Sequence, residues 1–222
     1  APPFGDRKVG ENFQKHSYPF GLIVNIHGQR FVDEGADFRN YTYAEYGRRV
    51  LKQPSRIAWQ IFDQKCHPLM RDEYRIREVT KHQADTIEEL AQKMEIDVDG
   101  FVNTIEDYNA AVQDTDFNPT ILDGKKTVGI EPPKSNWAQK MDAPPYEAYG
   151  VTAGITFTFG GLKTTKDAQV LDSENRDIPG LFACGEMMGG LFYYNYPGGS
   201  GLMSGAVFGK LAGEGAARHA AS

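Results

Sequence analysis

The chain has 222 residues, of which 40% are hydrophobic, 12% aromatic and 24% charged, which is enough apolar material for a folded core and excludes wholesale disorder. A net charge of −6 and the lack of any long Lys/Arg run argue against a nucleic-acid-binding surface. No stretch approaches the roughly 20 apolar residues that a membrane-spanning helix needs. From the length of 222 residues we expect one large globular domain or two small ones.

Residues 21–62 predict short strands separated by one helix. The apolar run at residues 21–25 is typical of a buried strand, His27 and Gly28 of a hairpin turn, and residues 30–32 of a returning strand. A helix is expected over residues 41–52, ending near Pro54, and another strand over residues 57–62.

Two further helices are indicated by their capping residues. Thr86 and Glu89 form a capping box that begins a helix running to Met94. Asp99 is the expected cap of the next helix, whose apolar residues recur at helical spacing. Those residues are Phe101, Val102, Ile105, Tyr108 and Val112. Their regular spacing predicts two helices that each pack one face against a core.

The character of the sequence changes near residue 150. Residues 114–148 are polar and contain two Pro-Pro pairs, which predicts a long irregular connection; beyond them glycine becomes dense and charge becomes sparse. We therefore expect a domain boundary there. Residues 1–150 are predicted to form an α+β domain, and residues 151–222 a few strands that end in one helix packed on a sheet.

The two cysteines and the first residues bear on localisation. Cys66 and Cys184 are far apart and form neither a CxxC pair nor a zinc-type cluster with histidine. We expect two unpaired thiols in a reducing compartment, and hence a cytoplasmic protein. The sequence opens Ala-Pro-Pro-Phe without an initiator Met, so we expect its natural N-terminus to lie further upstream.

The last seventy residues carry the most informative motifs. Residues 178–186 combine a turn, a predicted short buried strand, a glycine and the carboxylate of Glu186. A Gly-Gly pair, an aromatic cluster and a Pro-Gly-Gly-Ser-Gly loop follow, and then a final helix begins. A glycine-rich loop that runs into a helix directs unpaired N–H groups and the positive dipole end at one spot, which suits an anion or the electron-rich edge of a reduced flavin.

Glycine also recurs at every fourth residue of this helix. Gly201, Gly205, Gly209 and Gly213 form a stripe without side chains, which would allow close approach to a sheet or another helix. Lys210, in the same segment, speaks against a membrane-dimer motif. Taken alone, the loop and the stripe are equally compatible with a tightly packed helix entry that binds no ligand.

In their order and separation these segments resemble the C-terminal signature of the fumarate reductase/succinate dehydrogenase flavoproteins. The matching segments are residues 178–186, Gly189-Gly190, Asn195-Tyr-Pro-Gly-Gly and residues 207–213. The resemblance implies an α+β capping domain at residues 1–150, followed at residues 151–222 by the C-terminal strands and helix of an α/β FAD-binding domain. It also implies FAD as the cofactor.

The resemblance assigns cofactor contacts to four residues. Glu186 corresponds to the glutamate that hydrogen-bonds the ribityl-ribose region of FAD, and Gly201 and Leu202 to the helix start at the flavin pyrimidine edge. Gly161 corresponds to the Gly-Gly pair of the family's His-Thr-Met-Gly-Gly-like motif, and the resemblance implies that it also contacts the cofactor. We expect no metal site.

A second motif, upstream, resembles the capping domain of the same family. Val24-Asn25-x-x-Gly28-x-Arg30-Phe31-Val32-x-Glu34 is followed shortly by Arg39. The resemblance implies that Arg39 is the active-site proton donor. Because arginine normally stays charged, we expect carboxylates beside it, and Glu34 and Asp37 are close in sequence. The alternative role for Arg39 is a surface ion pair.

Two substitutions distinguish this sequence from fumarate reductases. The segment of residues 156–161 has no histidine before its Gly-Gly pair, and Tyr196 stands where those enzymes carry an arginine. Since a tyrosine cannot replace the bidentate arginine clamp on a carboxylate, fumarate is not the expected substrate. Tyr196 followed by Pro-Gly is similar to ketosteroid dehydrogenases, where the tyrosine polarises a ketone; the segment 190–199 also resembles tricarballylate-dehydrogenase-like proteins. Packing alone is the other explanation for Tyr193, Tyr194 and Tyr196.

The Gly-x-Gly-x-x-Gly turn that binds the FAD diphosphate in this family does not occur in the sequence. We therefore expect an oxidoreductase that exchanges a hydride at flavin N5 with a small carboxylate or ketone, with the dinucleotide-binding part on a missing N-terminal segment. The isolated chain is expected to bind FAD weakly and to be inactive. The alternatives are a non-enzymatic interaction domain and an enzyme that binds another anion at residues 198–201.

Overall fold

The structure, a computed structural model, describes residues 14–76, 79, 81–155 and 157–222. Its strands are β1 (Leu22–Val24), β2 (Ala58–Phe62), β3 (His82–Ala84), β4 (Tyr146–Val151), β5 (Gln169–Leu171) and β6 (Asp177–Phe182). Its α-helices are α1 (Arg39–Leu51), α2 (Ile87–Met94), α3 (Val98–Ala111) and α4 (Ser200–Ala220). Short 3-10 helices occur at Tyr18–Phe20, Pro54–Arg56, Gln64–Leu69, Asp72–Tyr74 and Gly185–Met187.

The chain divides into two compact units, an N-terminal unit of residues 1–153 and a C-terminal unit of residues 154–222. The N-terminal unit is built on an antiparallel sheet in the order β1-β2-β4-β3. Every residue of β1 and β2 is buried, as expected for apolar strands covered on both faces. The return predicted at residues 30–32 is reduced to a single bridge between Val24 and Arg30.

Helices α2 and α3 supply much of the core beside this sheet. The hydroxyl of Thr86 accepts a hydrogen bond from the Glu89 N–H at 3.1 Å, which confirms the Thr86 half of the predicted capping box. The Glu89 carboxylate forms an ion pair with Lys93 at 2.7 Å. The cap predicted for α3 is wrong. Asp97, and not Asp99, accepts from the Gly100 N–H at 3.1 Å, because α3 begins at Val98 and the cap must precede it.

The interior of the N-terminal unit also contains buried charged side chains that are bound to other groups. Arg30 and Glu34 form a buried ion pair at 2.6 Å, and the Nζ of the fully buried Lys134 donates to the Gly21 carbonyl at 2.5 Å. Arg30 donates in addition to the Pro132 carbonyl at 2.8 Å. These bonds attach the long connection, irregular as predicted, to the start of the sheet.

The C-terminal unit has less secondary structure. Strands β5 and β6 pair antiparallel, and α4 packs against β6 where the Phe182 ring lies beside Gly215. The sequence predicted a buried strand at this position, which is wrong: β6 is mostly exposed, with Leu181 at 45%. Within the described residues, only β5 pairs with β6, and most residues of β6 are exposed.

The cysteines, the helices and the possible metal ligands were expected to show no disulfide, no membrane span and no metal site. Cys66 and Cys184 are both free, as predicted, and burial raises the pKa of the Cys66 thiol to about 12. Across the described ranges, no helix combines the length and apolar character needed to cross a membrane. The same ranges contain no group of three or more His, Cys, Asp and Glu side chains placed to hold a metal ion.

Candidate functional site

Three segments of the C-terminal unit bring most of the predicted cofactor residues together. Glu186 lies in the short helix after β6, and its carboxylate accepts a hydrogen bond from the Thr158 N–H at 2.7 Å. The stretch after Thr158 then pairs in parallel with the stretch after Glu186, through a bridge between Leu162 and Met188. Thr156, the first residue of the predicted segment 156–161, lies outside the described residues.

Gly161 has a structural reason for being a glycine. A Cβ at this position would lie 2.3 Å from the Met187 carbonyl oxygen and 2.9 Å from the Gly189 nitrogen. The close approach allows the Leu162 N–H to donate to Met187 at 2.8 Å and the Gly189 N–H to donate to Leu162 at 3.0 Å. Gly161 therefore fixes the backbone next to Glu186.

Tyr196 and Gly201 are also brought into direct contact. The Gly201 N–H, in the first turn of α4, donates to the Tyr196 hydroxyl at 2.9 Å. The N-cap residue is Gly199, with φ of +89°, and no side chain of its own satisfies the helix start. The tyrosine hydroxyl thus takes a role that a Ser or Asp side chain has at many helix starts.

Gly201 can only be a glycine in this arrangement. A Cβ there would lie 2.5 Å from the Tyr196 hydroxyl and 2.7 Å from the Phe157 ring. Leu202, the next residue, is 79% exposed, and Met203 is 61% exposed. The start of α4 therefore combines the positive end of the helix dipole with an uncovered apolar surface, which fits the apolar ring and electron-rich edge of a flavin.

The aromatic residues around this helix start fall into two groups. Tyr196 packs among Phe157, Phe159 and Phe192, with ring centroids 4.9–6.1 Å apart. By contrast, Tyr193 and Tyr194 are 80% and 56% exposed, and their ring centroids lie 4.1 Å apart. Tyr196 is thus enclosed by other aromatic rings, whereas Tyr193 and Tyr194 lie largely at the surface.

The glycine stripe on α4 is less tightly packed than its spacing predicts. A Cβ at Gly205 or Gly209 would meet its nearest neighbour at 4.0 or 3.9 Å, and one at Gly213 would meet nothing within 4 Å. Close approach occurs at Gly201, the first glycine of the stripe, and at Gly215, outside the stripe, where a Cβ would lie 2.4 Å from the Phe182 ring. Among the described residues, the stripe alone does not determine how α4 packs.

Arg39 belongs to the N-terminal unit. Helix α1 begins at Arg39, two residues earlier than predicted, so its side chain projects from the first helical turn and is half-buried. The two carboxylates expected beside it are engaged elsewhere. Glu34 binds Arg30 and the Ile23 N–H, and the Asp37 carboxylate accepts from the Phe38 N–H at 2.6 Å. Among the described residues, no carboxylate forms an ion pair with Arg39.

The side chain that meets Arg39 is His16. The Nη1 of Arg39 lies 3.2 Å from the His16 Nδ1. Burial lowers the pKa of His16 to about 4, and the positive charges of Arg39 and Arg71 add to this effect. His16 is therefore neutral over the physiological pH range. The sequence contained no signal for this contact, since His16 lies 23 residues before Arg39 and outside both motifs.

The comparison with protein families identifies the class of this protein. The family described as FAD binding domain matches residues 2–202, so the chain belongs to this family of FAD-binding flavoproteins. Its relatives are fumarate reductase flavoproteins and ketosteroid dehydrogenases. The predicted family and the predicted cofactor, FAD, are thereby confirmed.

Two curated relatives represent these two groups. A probable fumarate reductase, Ifc3, of Shewanella frigidimarina (strain NCIMB 400) is 33% identical over 205 residues, which are 90% of this chain and 31% of the relative. A 3-oxosteroid 1-dehydrogenase of Mycolicibacterium smegmatis is 29% identical over 218 residues, 87% of this chain and 37% of the relative. The chain thus spans about a third of the length of each of these two relatives.

Solved structures give the same two groups. The open conformation of a flavocytochrome c3 fumarate reductase is 30% identical, with a TM-score of 0.64, and the match covers 95% of this chain and 35% of that one. A 3-ketosteroid delta1-dehydrogenase from Sterolibacterium denitrificans is also 30% identical, with a TM-score of 0.67, covering 93% of this chain and 40% of that one. The mixed helix and sheet architecture is that of these flavoproteins.

Proposed function

We propose that this chain is the C-terminal part of an FAD-dependent oxidoreductase that dehydrogenates or reduces a C–C bond next to a carbonyl or carboxylate. The observation that carries the proposal is the assembly of Glu186, Gly161, Tyr196 and Gly201 by three short segments of the C-terminal unit. When bound, FAD supplies the hydride chemistry through N5 of its flavin ring. The family match favours this function over a non-enzymatic interaction domain.

The C-terminal unit is proposed to bind and orient the cofactor. The exposed carboxylate of Glu186, already held by the Thr158 N–H, can accept further hydrogen bonds from hydroxyl groups of the ribityl-ribose region. The first turn of α4, where the Gly201 N–H is bound to the Tyr196 hydroxyl and Leu202 is exposed, presents the positive end of the helix dipole to the flavin edge. Both features stabilise electron-rich groups.

The N-terminal unit, residues 1–153, is proposed to be the capping domain, and Arg39 its proton carrier. The guanidinium would exchange a proton at the substrate carbon adjacent to the hydride-accepting or hydride-donating one. Tyr196, held by the Gly201 N–H, would orient the substrate or polarise its carbonyl oxygen. With Tyr196 in place of an arginine clamp, a ketone or a carboxylate other than fumarate is the proposed substrate class.

The first test is an FAD titration followed by flavin fluorescence and visible absorbance. We propose that the dinucleotide-binding segment lies outside these 222 residues, so the chain should bind FAD weakly or not at all, and a longer protein that includes the segment should bind it stoichiometrically.

Glu186→Gln in the longer protein should weaken FAD binding about tenfold, because one charge-assisted acceptor is lost. Glu174→Gln, on the same unit but exposed and away from Glu186, is the control. Tight FAD binding by the 222-residue chain itself would contradict the proposal that the dinucleotide-binding segment lies outside these residues.

The second test concerns the substrate side of the site in the FAD-loaded longer protein. Reduced methyl viologen serves as electron donor and dichlorophenolindophenol as acceptor, and the probes are fumarate, acrylate, tricarballylate and a 3-oxosteroid. Arg39→Gln should lower turnover of the active probe by about 10²–10⁴-fold, the range of a general acid–base group. Arg49→Gln, in an exposed ion pair on the same helix, should leave turnover unchanged.

Wild-type turnover in Arg39→Gln would refute the assignment of Arg39 as the proton carrier. Unchanged turnover and unchanged substrate affinity in Tyr196→Phe would show that this tyrosine has a structural role.

A further inference from the structure

The segment that contains His16 is fixed on one face of α1. The Tyr18 hydroxyl lies 2.7 Å from the Thr42 hydroxyl, and the Tyr18 ring contacts the Tyr46 ring at 5.2 Å between centroids. His16 itself lies against Tyr43, with ring centroids 4.8 Å apart. Since Arg39 and Tyr43 are one helical turn apart, the imidazole contacts both on the same face of α1.

The chemistry of this contact determines how the imidazole is protonated. A guanidinium has five N–H donors and no acceptor, so a hydrogen bond between Arg39 and the Nδ1 of His16 requires Nδ1 to be the acceptor. The neutral ring then carries its proton on Nε2. An imidazolium would have no lone pair for Arg39 and would repel it, so only the neutral form of His16 can hold the arginine.

We infer that His16 is the positioning residue for Arg39, a neutral imidazole that accepts from Nη1 and fixes the guanidinium for proton transfer. The inference rests on the proposed role of Arg39. His16 takes the place of the carboxylates expected from the sequence, because Glu34 and Asp37 are engaged elsewhere. A neutral acceptor orients the arginine without neutralising its charge, which leaves that charge available to an anionic or carbonyl group of the substrate.

The charges around His16 favour this neutral form. The guanidinium groups of Arg39 and Arg71 both act on the ring, and the opposing charge of Glu73 has the smaller effect. Arg71 is itself bound to Glu73 at 2.9 Å. His16 is also more than half-buried, so protonation would place a further positive charge beside two others in a poorly solvated position.

The first experiment reads the tautomer directly and needs no enzymatic activity. A long-range ¹H–¹⁵N NMR spectrum of the ¹⁵N-labelled 222-residue chain, with the His16→Asn variant to identify the signals, should show an Nε2–H tautomer that persists below pH 6. In Arg39→Gln the pKa of His16 should rise, because one neighbouring positive charge is removed, and the Nδ1 signal should shift. An Nδ1–H tautomer, or a His16 spectrum that does not respond to Arg39→Gln, would overturn the inference.

The second experiment uses the FAD-loaded longer protein with the active probe of the panel above. His16→Leu should lower kcat about 10–100-fold with less than a threefold change in KM, since a misplaced catalytic group affects the chemical step more than binding. His16→Asn places an amide oxygen close to the Nδ1 position and should recover most of the loss. His82→Leu is the matched control, a histidine that also packs on an aromatic ring, Trp59, but in β3.

The two arms separate the inference from the function on which it rests. If Arg39→Gln abolishes turnover while His16→Leu and His16→Asn both retain it, His16 does not position Arg39 for the reaction. If Arg39→Gln itself retains turnover, the proposed function of Arg39 fails, and the NMR experiment still reports whether the two side chains are hydrogen-bonded. Thermal unfolding of each variant, compared with wild type, checks that a loss of kcat does not come from a loss of folding.

Discussion

The two units of the chain differ in how completely they bury their own apolar residues. In the N-terminal unit, three clusters of buried side chains are built around the four-stranded sheet. Both tryptophans of this unit are only 1% exposed, and Trp59 belongs to the first of these clusters. In the described part of the C-terminal unit, the buried hydrophobic residues are small or flexible: Ala168, Val170, Ala183, Met188 and Ala212. Large apolar side chains there lie at the surface, among them Ile155 at 92% and Leu202 at 79% exposure.

The N-terminal unit thus buries its large apolar side chains, whereas the described part of the C-terminal unit leaves most of its own at the surface. Contiguous exposed apolar residues in a soluble domain usually mark a binding surface, and those of the C-terminal unit include the proposed flavin-contact residue Leu202 and its neighbour Met203. The N-terminal unit should therefore respond to substitution like an ordinary folded domain. The C-terminal unit should respond weakly except at the few positions where its own atoms are in close contact.

The largest effect is expected from the buried ion pair of the N-terminal unit. Glu34→Gln removes the partner of Arg30 and should lower the free energy of unfolding by about 3–5 kcal/mol, because an uncompensated charge remains in the interior. Urea unfolding followed by tryptophan fluorescence measures it, since Trp59 and Trp137 both lie in this unit. Glu45→Gln breaks the exposed i,i+4 pair with Arg49 and should change the free energy by less than about 1 kcal/mol. Equal effects from the two variants would show that this interior is not closed to water.

The buried amine of Lys134 gives the next effect, which depends on pH. Burial lowers its pKa from an ordinary value of 10.5 to about 8 in the folded state. Between these values the unfolded chain binds the proton and the folded chain does not, so the contribution of this group to stability rises as pH increases from about 8 to about 10.5. Below pH 8 both states are protonated and its full unfavourable contribution is present.

The measurement compares wild type with Lys134→Met, which cannot titrate at this position. The free energy of unfolding of wild type relative to the variant should increase by up to about 3 kcal/mol between pH 8 and 10.5. Urea midpoints from tryptophan fluorescence at half-unit pH intervals would show it. A constant difference between the two proteins over this range would mean that Lys134 is solvated in the folded state.

How far the sequence predicted these features depends on the range of the interactions involved. The two helices with local caps and regular apolar spacing were predicted nearly to their ends, and only the capping aspartate of α3, Asp97, was misplaced. Strand β6 was predicted to be buried because its composition is apolar, but burial depends on what covers a strand, and the described residues cover little of it. Composition cannot show whether the covering element is present.

In the candidate site, too, the sequence predicts which motif residues matter but does not predict contacts between distant segments. The motif residues Glu186, Gly161, Tyr196 and Gly201 were identified by resemblance, and the structure supplies contacts for each that sequence spacing did not contain. Proximity in sequence predicts a carboxylate partner for Arg39, whereas in the structure its side chain meets His16. A contact such as that with His16 depends on how a distant segment docks on a helix, and no periodicity or cap encodes it.

The smallest effects are expected in α4, where two glycines two residues apart should respond in opposite directions. Gly215→Ala places a Cβ 2.4 Å from the Phe182 ring and should destabilise the packing of α4 on β6 by about 1–3 kcal/mol, since the ring must move. Gly213→Ala meets nothing within 4 Å and should stabilise the helix by up to about 1 kcal/mol through the higher helix propensity of alanine. Hydrogen exchange of α4 amides, read by mass spectrometry, measures both, and exchange in α3 serves as the internal reference because it lies in the other unit. Slower exchange in both variants would mean that the contact between Gly215 and the Phe182 ring contributes nothing to the stability of α4.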